Sequence, residues 1–190
     1  PTKGVSEHTL TSAQQSQDYL NLVDIEEPVY FYAEPGETLS AEMATGGSWV
    51  HNYVYVDYDS DGFVASIENG SNWKPAGDLV SYSFYNNDSS SDESGWNSVG
   101  TAISGDNRNR PALPSFTAPA TSGIYRMRFK QDWCNIDPAG DADGKFGDFK
   151  QNGGQVIDVL LMVGDVDTAI DNIATEKANA GIYDMTGRKI

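Results

Sequence analysis

The stretch Asp57-Tyr58-Asp59-Ser60-Asp61-Gly62-Phe63-Val64-Ala65-Ser66-Ile67-Glu68 has residue types and spacing that could do chemistry. Carboxylates stand at positions one, three and five of a twelve-residue frame. Glycine follows at six, an aliphatic residue at eight and glutamate at twelve, which is the side-chain pattern of a calcium loop. Calcium is a hard cation that takes several oxygen ligands, and alternate aspartates can turn their oxygens toward one point. Gly62 permits the sharp bend this needs. Asp57, Asp59, Asp61 and Glu68 are therefore candidate ligands of a structural calcium ion. The segment before them reads as a strand rather than a helix, so the frame is not that of an EF-hand. The same residues also read as an acidic β-turn that stays solvated. A second acidic loop, Asp137 to Gly144, carries a shorter Asp-x-Asp-Gly.

Four aromatic residues form the second set of candidates. Trp73 and Trp96 lie in loop-like sequence, Tyr58 sits inside the acidic turn, and Trp133 stands at a strand end. An exposed ring beside Asn and Asp can stack on the C–H face of a sugar while amides and carboxylates bind its hydroxyls. The competing reading folds each ring back as a cap on the core. Support for catalysis is thin. No Gly-x-Ser-x-Gly, phosphate-loop or dinucleotide glycine pattern occurs, and no carboxylate pair has an apolar setting. Cys134 is the single cysteine, and His8 and His51 cannot build a multi-histidine site. The chain reads as non-catalytic.

The elements that must hold these groups are strands. Val29 to Ala33 is β-branched and aromatic, and the turn former Glu34-Pro35-Gly36 follows. Ser48 to Asp57 alternates Val50, Asn52, Val54 and Val56 with Trp49, His51, Tyr53 and Tyr55, which predicts a strand covered on both faces. In Asp78 to Tyr85, Leu79, Ser81, Ser83 and Tyr85 oppose Val80, Tyr82 and Phe84. Asn86 to Arg110 is poor in apolar residues and reads as a long loop. Gly123 to Trp133 sets Tyr125, Met127 and Phe129 against Arg126, Arg128 and Lys130. Gly154 to Val163 is the last strong strand, and its Asp158 would be costly among apolar neighbours without a cation. Pairing these last two strands would bring Asp158 to Arg126 or Arg128. Strands joined by turn-rich loops predict an all-β, antiparallel β-sandwich, Ig-like or jelly-roll-like, with long polar loops. The divisions expected are a polar lead-in over 1–27, the sandwich over 28–164, a linker over 165–180, and a separate segment over 181–190.

Charge narrows the partners. Asp and Glu number 28 against 12 Lys and Arg, a formal net charge of −16. Nucleic acid needs clustered cations and is excluded as a natural partner. No apolar run reaches membrane-spanning length, so membrane insertion by a helix is not expected.

Three stretches together resemble a known family. They are Gly47 to Asp59 (Gly-Ser-Trp-Val-His-Asn-Tyr-Val-Tyr-Val-Asp-Tyr-Asp), Pro119 to Phe129 (ending Gly-Ile-Tyr-Arg-Met-Arg-Phe), and Asn152 to Val159 (Asn-Gly-Gly-Gln-Val-Ile-Asp-Val). They are similar to GEVED-type β-sandwich domains, especially those near the C-terminal end of secreted Bacteroidetes proteins. Asp158 matches the last acidic residue of the name-giving motif, and its first glutamate is replaced here. The tail Gly181 to Ile190 (Gly-Ile-Tyr-Asp-Met-Thr-Gly-Arg-Lys-Ile) resembles the opening of C-terminal sorting-type domains, truncated after its first strand. The resemblance implies an accessory module, secreted or on the cell surface and part of a longer polypeptide. It would support binding of a glycan or a surface protein, or serve as a spacer for an enzyme or adhesin domain.

Overall fold

The computed structural model describes residues 8–43, 50–68, 74–86, 94–103, 111–132, 136–140 and 154–165. Within them the chain is all-β and sandwich-like, with mixed sheets and almost no helix. A single turn of helix, α1 (Ser12–Gln15), opens the described chain. The Thr11 hydroxyl caps it and the Gln14 side chain reaches back in a capping box. The strands follow as β1 (Tyr19–Asn21), β2 (Tyr30–Ala33), β3 (Thr38–Leu39), β4 (His51–Asp57), β5 (Ala65–Glu68) and β6 (Lys74–Gly77). After them come β7 (Leu79–Asn86), β8 (Ser94–Asn97), β9 (Phe116–Thr117), β10 (Gly123–Asp132) and β11 (Gln155–Val163).

The main sheet runs β1-β11-β10-β4-β7-β8, and β2 also pairs with β11. Its centre is antiparallel, as expected: β10 lies between β11 and β4, with Arg128 opposite Asp158 on one side and Tyr55 on the other. Its edge departs from the antiparallel expectation. β1 and β2 both pair parallel to β11, one after the other along the same edge. They form one edge strand interrupted by an excursion. Val29 N–H donates to Leu22 O at 2.9 Å and closes the excursion. Leu22 N–H donates to Asp158 O and Leu160 N–H to Val29 O, each at 2.9 Å, so the ladder continues past the break.

That edge corrects the boundary expected at residue 27/28. Leu20 and Leu22 are buried in the core. The polar residues around them hide this, because a three-residue strand shows too little alternation to read. β8 corrects a second expectation. It lies inside the stretch read as a long loop and pairs antiparallel with β7, placing Trp96 opposite Phe84. A Ser-Gly-Trp-Asn strand has almost no strand-forming composition, and the partner strand defines it.

One face of the sheet carries the apolar core. Val54, Val56, Met127, Leu161 and Val163 are buried there. The small β3–β9 sheet and residues from Pro111 onward cover it. Prolines suit this cover, because the Pro111 and Pro114 carbonyls accept from buried side chains of the sheet. Ser83 Oγ donates to Pro111 O at 2.8 Å, and Asn52 Nδ2 does so at 3.2 Å. Ser81 Oγ donates to Pro114 O at 2.7 Å. These bonds offset the cost of burying Asn52, Ser81 and Ser83.

The alternation read across Leu79 to Tyr85 holds only from Ser81 onward. The register shifts between Val54 and Tyr55, which pair with Ser81 and Leu79, so Val80 is the extra residue of a β-bulge. Leu79 therefore joins Tyr82 and Phe84 on the second face, while Val80 packs against the main core.

Candidate metal turn and the charged face behind it

The acidic turn leaves the end of β4. Asp57, Asp59 and Asp61 each present a ligand atom, and these atoms lie within 4.8 Å of one another. Ser60 N–H donates to Asp57 Oδ1 at 2.7 Å, and Asp61 N–H reaches Asp59 Oδ1 at 3.4 Å. Ser60 and Gly62 hold φ at 65° and 101°. The left-handed backbone at both positions coils the turn so that alternate side chains converge. These three carboxylates could hold a metal ion. Asp57 is buried at the strand end, and Asp59 and Asp61 are exposed. Glu68, the fourth sequence candidate, stands in β5 opposite Lys74.

Asp78 is the member of this site that the sequence reading missed. It is buried, and its Oδ2 accepts from Val64 N–H at 2.8 Å. It ties the far side of the turn to the start of β7. Burial pushes its carboxyl above the ordinary 3.8, and the charges of Asp57 and Asp59 push the same way. The N–H groups of Val64 and Tyr58 act against them. Asp61 is likewise raised, first by its hydrogen bond with Asp59 and then by that neighbour's charge. The turn is thus a concentration of negative charge that a cation would relieve. A Gly-Asp pair twenty residues past the start of the frame was the available signal, but no spacing rule connects it to the frame.

Behind the turn, the second face of the sheet carries buried charge. Arg128 grips Asp158 in a two-pronged pair, with Nε to Oδ1 at 2.6 Å and Nη2 to Oδ2 at 2.7 Å. Arg126 Nη2 reaches the same Oδ2 at 3.3 Å, and Tyr19 OH donates to it at 2.9 Å. The predicted neutralisation of Asp158 therefore uses both arginines and adds a tyrosine from the edge strand. Burial alone would lower the Arg128 pKa, but Asp158 outweighs it and holds the guanidinium above its usual value. The Arg128 guanidinium also stacks over the Phe63 ring at 4.2 Å and lies 5.6 Å from the Tyr19 ring. Phe63 belongs to the acidic turn, so the turn is anchored on the ion pair.

One register step along the sheet, Lys130 is fully buried and donates to Asp137 Oδ2 at 3.0 Å and Ala139 O at 2.9 Å. Tyr55 OH donates to the Pro138 and Ala139 carbonyls, at 3.2 Å each. Arg128 Nη1 donates to Gly140 O. Residues 136–140 thus lie across the charged face and accept from it almost residue by residue. Asp137, part of the second acidic loop, is spent on Lys130; Asp141 and Asp143 lie outside the described residues. Gly140 meets the Phe63 main chain so closely that a Cβ there would overlap it. Gly140→Ala is expected to cost about 1–3 kcal/mol, measured as a lower urea midpoint, since backbone on both sides must shift. An unchanged midpoint would show that this contact does not hold the turn to the sheet.

The aromatic candidates do not assemble among the described residues. Tyr58 is 45% exposed and meets Tyr125 edge to face, with ring centroids 6.4 Å apart. Trp96 is half-buried and packs with Phe84 and Tyr82 in the second core cluster. Trp96 is level with the start of β4, because its partner Phe84 lies against His51. Tyr58 follows the end of β4, roughly 20 Å away along the strand. Trp73 and Trp133 lie outside the described residues. No described helix is long and apolar enough to cross a membrane. Set against known family models, curated proteins and solved structures, the chain matches none of them.

Proposed function

We propose that this chain is a non-catalytic structural module of a secreted or cell-surface protein, a spacer whose acidic turn is fastened by one calcium ion. The observation that carries the reading is the convergence of the Asp57, Asp59 and Asp61 oxygens on a turn anchored through Phe63 to the buried ion pair. A cation there would tie β4, the β5–β6 hairpin and the charged face together. Behind the turn, Arg128 is paired with Asp158 and Lys130 with Asp137, which suits a structural role. The resemblance to GEVED-type domains points the same way. Millimolar calcium outside cells matches the affinity of extracellular modules, about 10⁻⁴–10⁻³ M.

The test is thermal unfolding with and without calcium. At millimolar calcium, about one to ten times that dissociation constant, binding adds about 0.4–1.4 kcal/mol, which corresponds to a rise in Tm of roughly 1–6 °C for a chain of this size. Asp59→Asn with Asp61→Asn should abolish the rise. The pH dependence has a definite sign. Asp61 and Asp78 have folded pKa values above the ordinary 3.8, so without calcium the folded state binds more protons than the unfolded state in the window just above 3.8. Their contribution to stability therefore falls as pH rises through that window. Calcium should remove this loss, so its effect should be largest above the window and vanish near pH 3.8 and below. No shift in Tm at millimolar calcium would end the metal reading.

Glycan recognition, the first reading from the sequence, stands second here and rests on exposed Tyr58 beside the acidic turn. A glycan array separates the two: a hit lost in Tyr58→Ala would favour recognition, and a clean negative leaves the spacer.

A further inference from the structure

A groove of about 400 Å³ opens over the apolar face of the sheet, beside the end where β10 finishes and β11 begins. Phe31, Phe129, Ile157 and Val159 contribute its apolar lining. Phe31 and Phe129 meet at 5.8 Å between centroids. At one end stand Gln131 and Gln155, direct register partners across β10 and β11. Gln155 has both amide N–H groups engaged, and Gln131 has one of its two. Gln131 Nε2 donates to Asn52 Oδ1 at 2.9 Å, and Gln155 Nε2 donates to Gln17 O at 2.8 Å and Gln14 O at 3.5 Å. Each offers a ligand its carbonyl oxygen, an acceptor, and for Gln155 that is the only group left to offer. Exposed Glu42 adds a carboxylate to the same groove, in a chain of net charge −16.

An apolar cavity of this size with a few polar groups at one end is the form of a small-molecule site. The polar groups here accept hydrogen bonds and carry negative charge, so they select a donor that is positive. We propose that the groove binds a small amphipathic amine. Its alkyl or aryl body, roughly ten heavy atoms, lies on Phe129, Ile157 and Phe31. Its ammonium donates to the carbonyl oxygens of Gln131 and Gln155 and to the Glu42 carboxylate. A carboxylic acid with the same body faces acceptors and like charge at that end. The site is separate from the acidic turn and independent of calcium.

The test titrates the full chain with octylamine, octanol and octanoate, followed by calorimetry and by chemical shifts of the groove residues. It is run at pH 8. Octylamine is expected to bind up to about fivefold more tightly than octanoate, the range one exposed charge provides. Glu42→Lys should reverse that order without moving Tm, since Glu42 is exposed. Should that variant lose stability, Glu42→Gln serves instead and should bring the two affinities together. Octanoate binding as tightly as octylamine, an order unchanged by either variant, or no binding of any of the three overturns the proposal.

Discussion

Asp158→Ala is expected to destabilise the domain by about 3–5 kcal/mol, because it leaves two guanidinium groups at a buried site without their anion. Asp158 is fully buried, and Arg128 is nearly so. Arg128 keeps Gly140 O as an acceptor and the Phe63 ring as a stacking surface. Neither replaces a carboxylate that accepted from Nε and Nη2 at once. Tyr19 loses its acceptor in the same step, so the β1 edge is loosened too. For a chain of this length the loss corresponds to roughly 6–20 °C in Tm. Two controls make the cause readable. Asp158→Asn keeps an acceptor and should cost less. Arg126→Met should cost no more than about 1 kcal/mol, because that pair is long and partly exposed to solvent screening. Denaturant unfolding measures all three, and an Asp158→Ala loss of 1 kcal/mol or less would mean the network is not what holds this face together.

The second large effect belongs to Lys130 and Asp137. Lys130→Met should cost about 3–5 kcal/mol, since Asp137 would stay buried without its cation. Asp137→Leu should cost a similar amount by leaving an ammonium inside. The double variant, Lys130→Met with Asp137→Leu, should recover most of the loss, because an apolar pair of similar volume has no charge to desolvate. Strict additivity of the two losses would show that the partners do not depend on one another. Tyr53 gives an independent optical readout. Its hydroxyl accepts from Asp137 N–H at 3.2 Å, and burial pushes its pKa well above the ordinary phenol value. Release of residues 136–140 should bring the alkaline titration of a buried tyrosine back toward normal.

The parts of the fold legible in the sequence are those where period-two alternation runs long enough to register. β4, β10 and β11 were read with the correct pairing of the last two, and the need of Asp158 for an arginine followed from one charge in an apolar run. The acidic turn was legible because its chemistry lies in one contiguous frame. What stayed hidden depends on other parts of the chain. Val80 inverts the facing of Leu79 through a bulge set by β4, and no local signal marks it. β1 and β8 are strands because β11 and β7 offer them an edge. Lys130 looked like one of three cations on a polar face. Its burial is decided by residues 136–140, which have no periodicity of their own. Asp78 joins the turn through backbone N–H groups, which sequence spacing does not reveal.

The split edge strand has a mechanical meaning. β1 and β11 run in the same direction, so tension entering ahead of β1 and leaving after β11 draws the two strands past each other along their length. Their inter-strand hydrogen bonds lie across that direction and are loaded together rather than one at a time. β2 adds a second set of parallel bonds in series on the same edge, from Tyr30 opposite Leu160 to Ala33 opposite Val163. The excursion between Leu22 and Val29 is slack that tightens only after the first set yields. Under such a load the edge would act as a clasp with two catches.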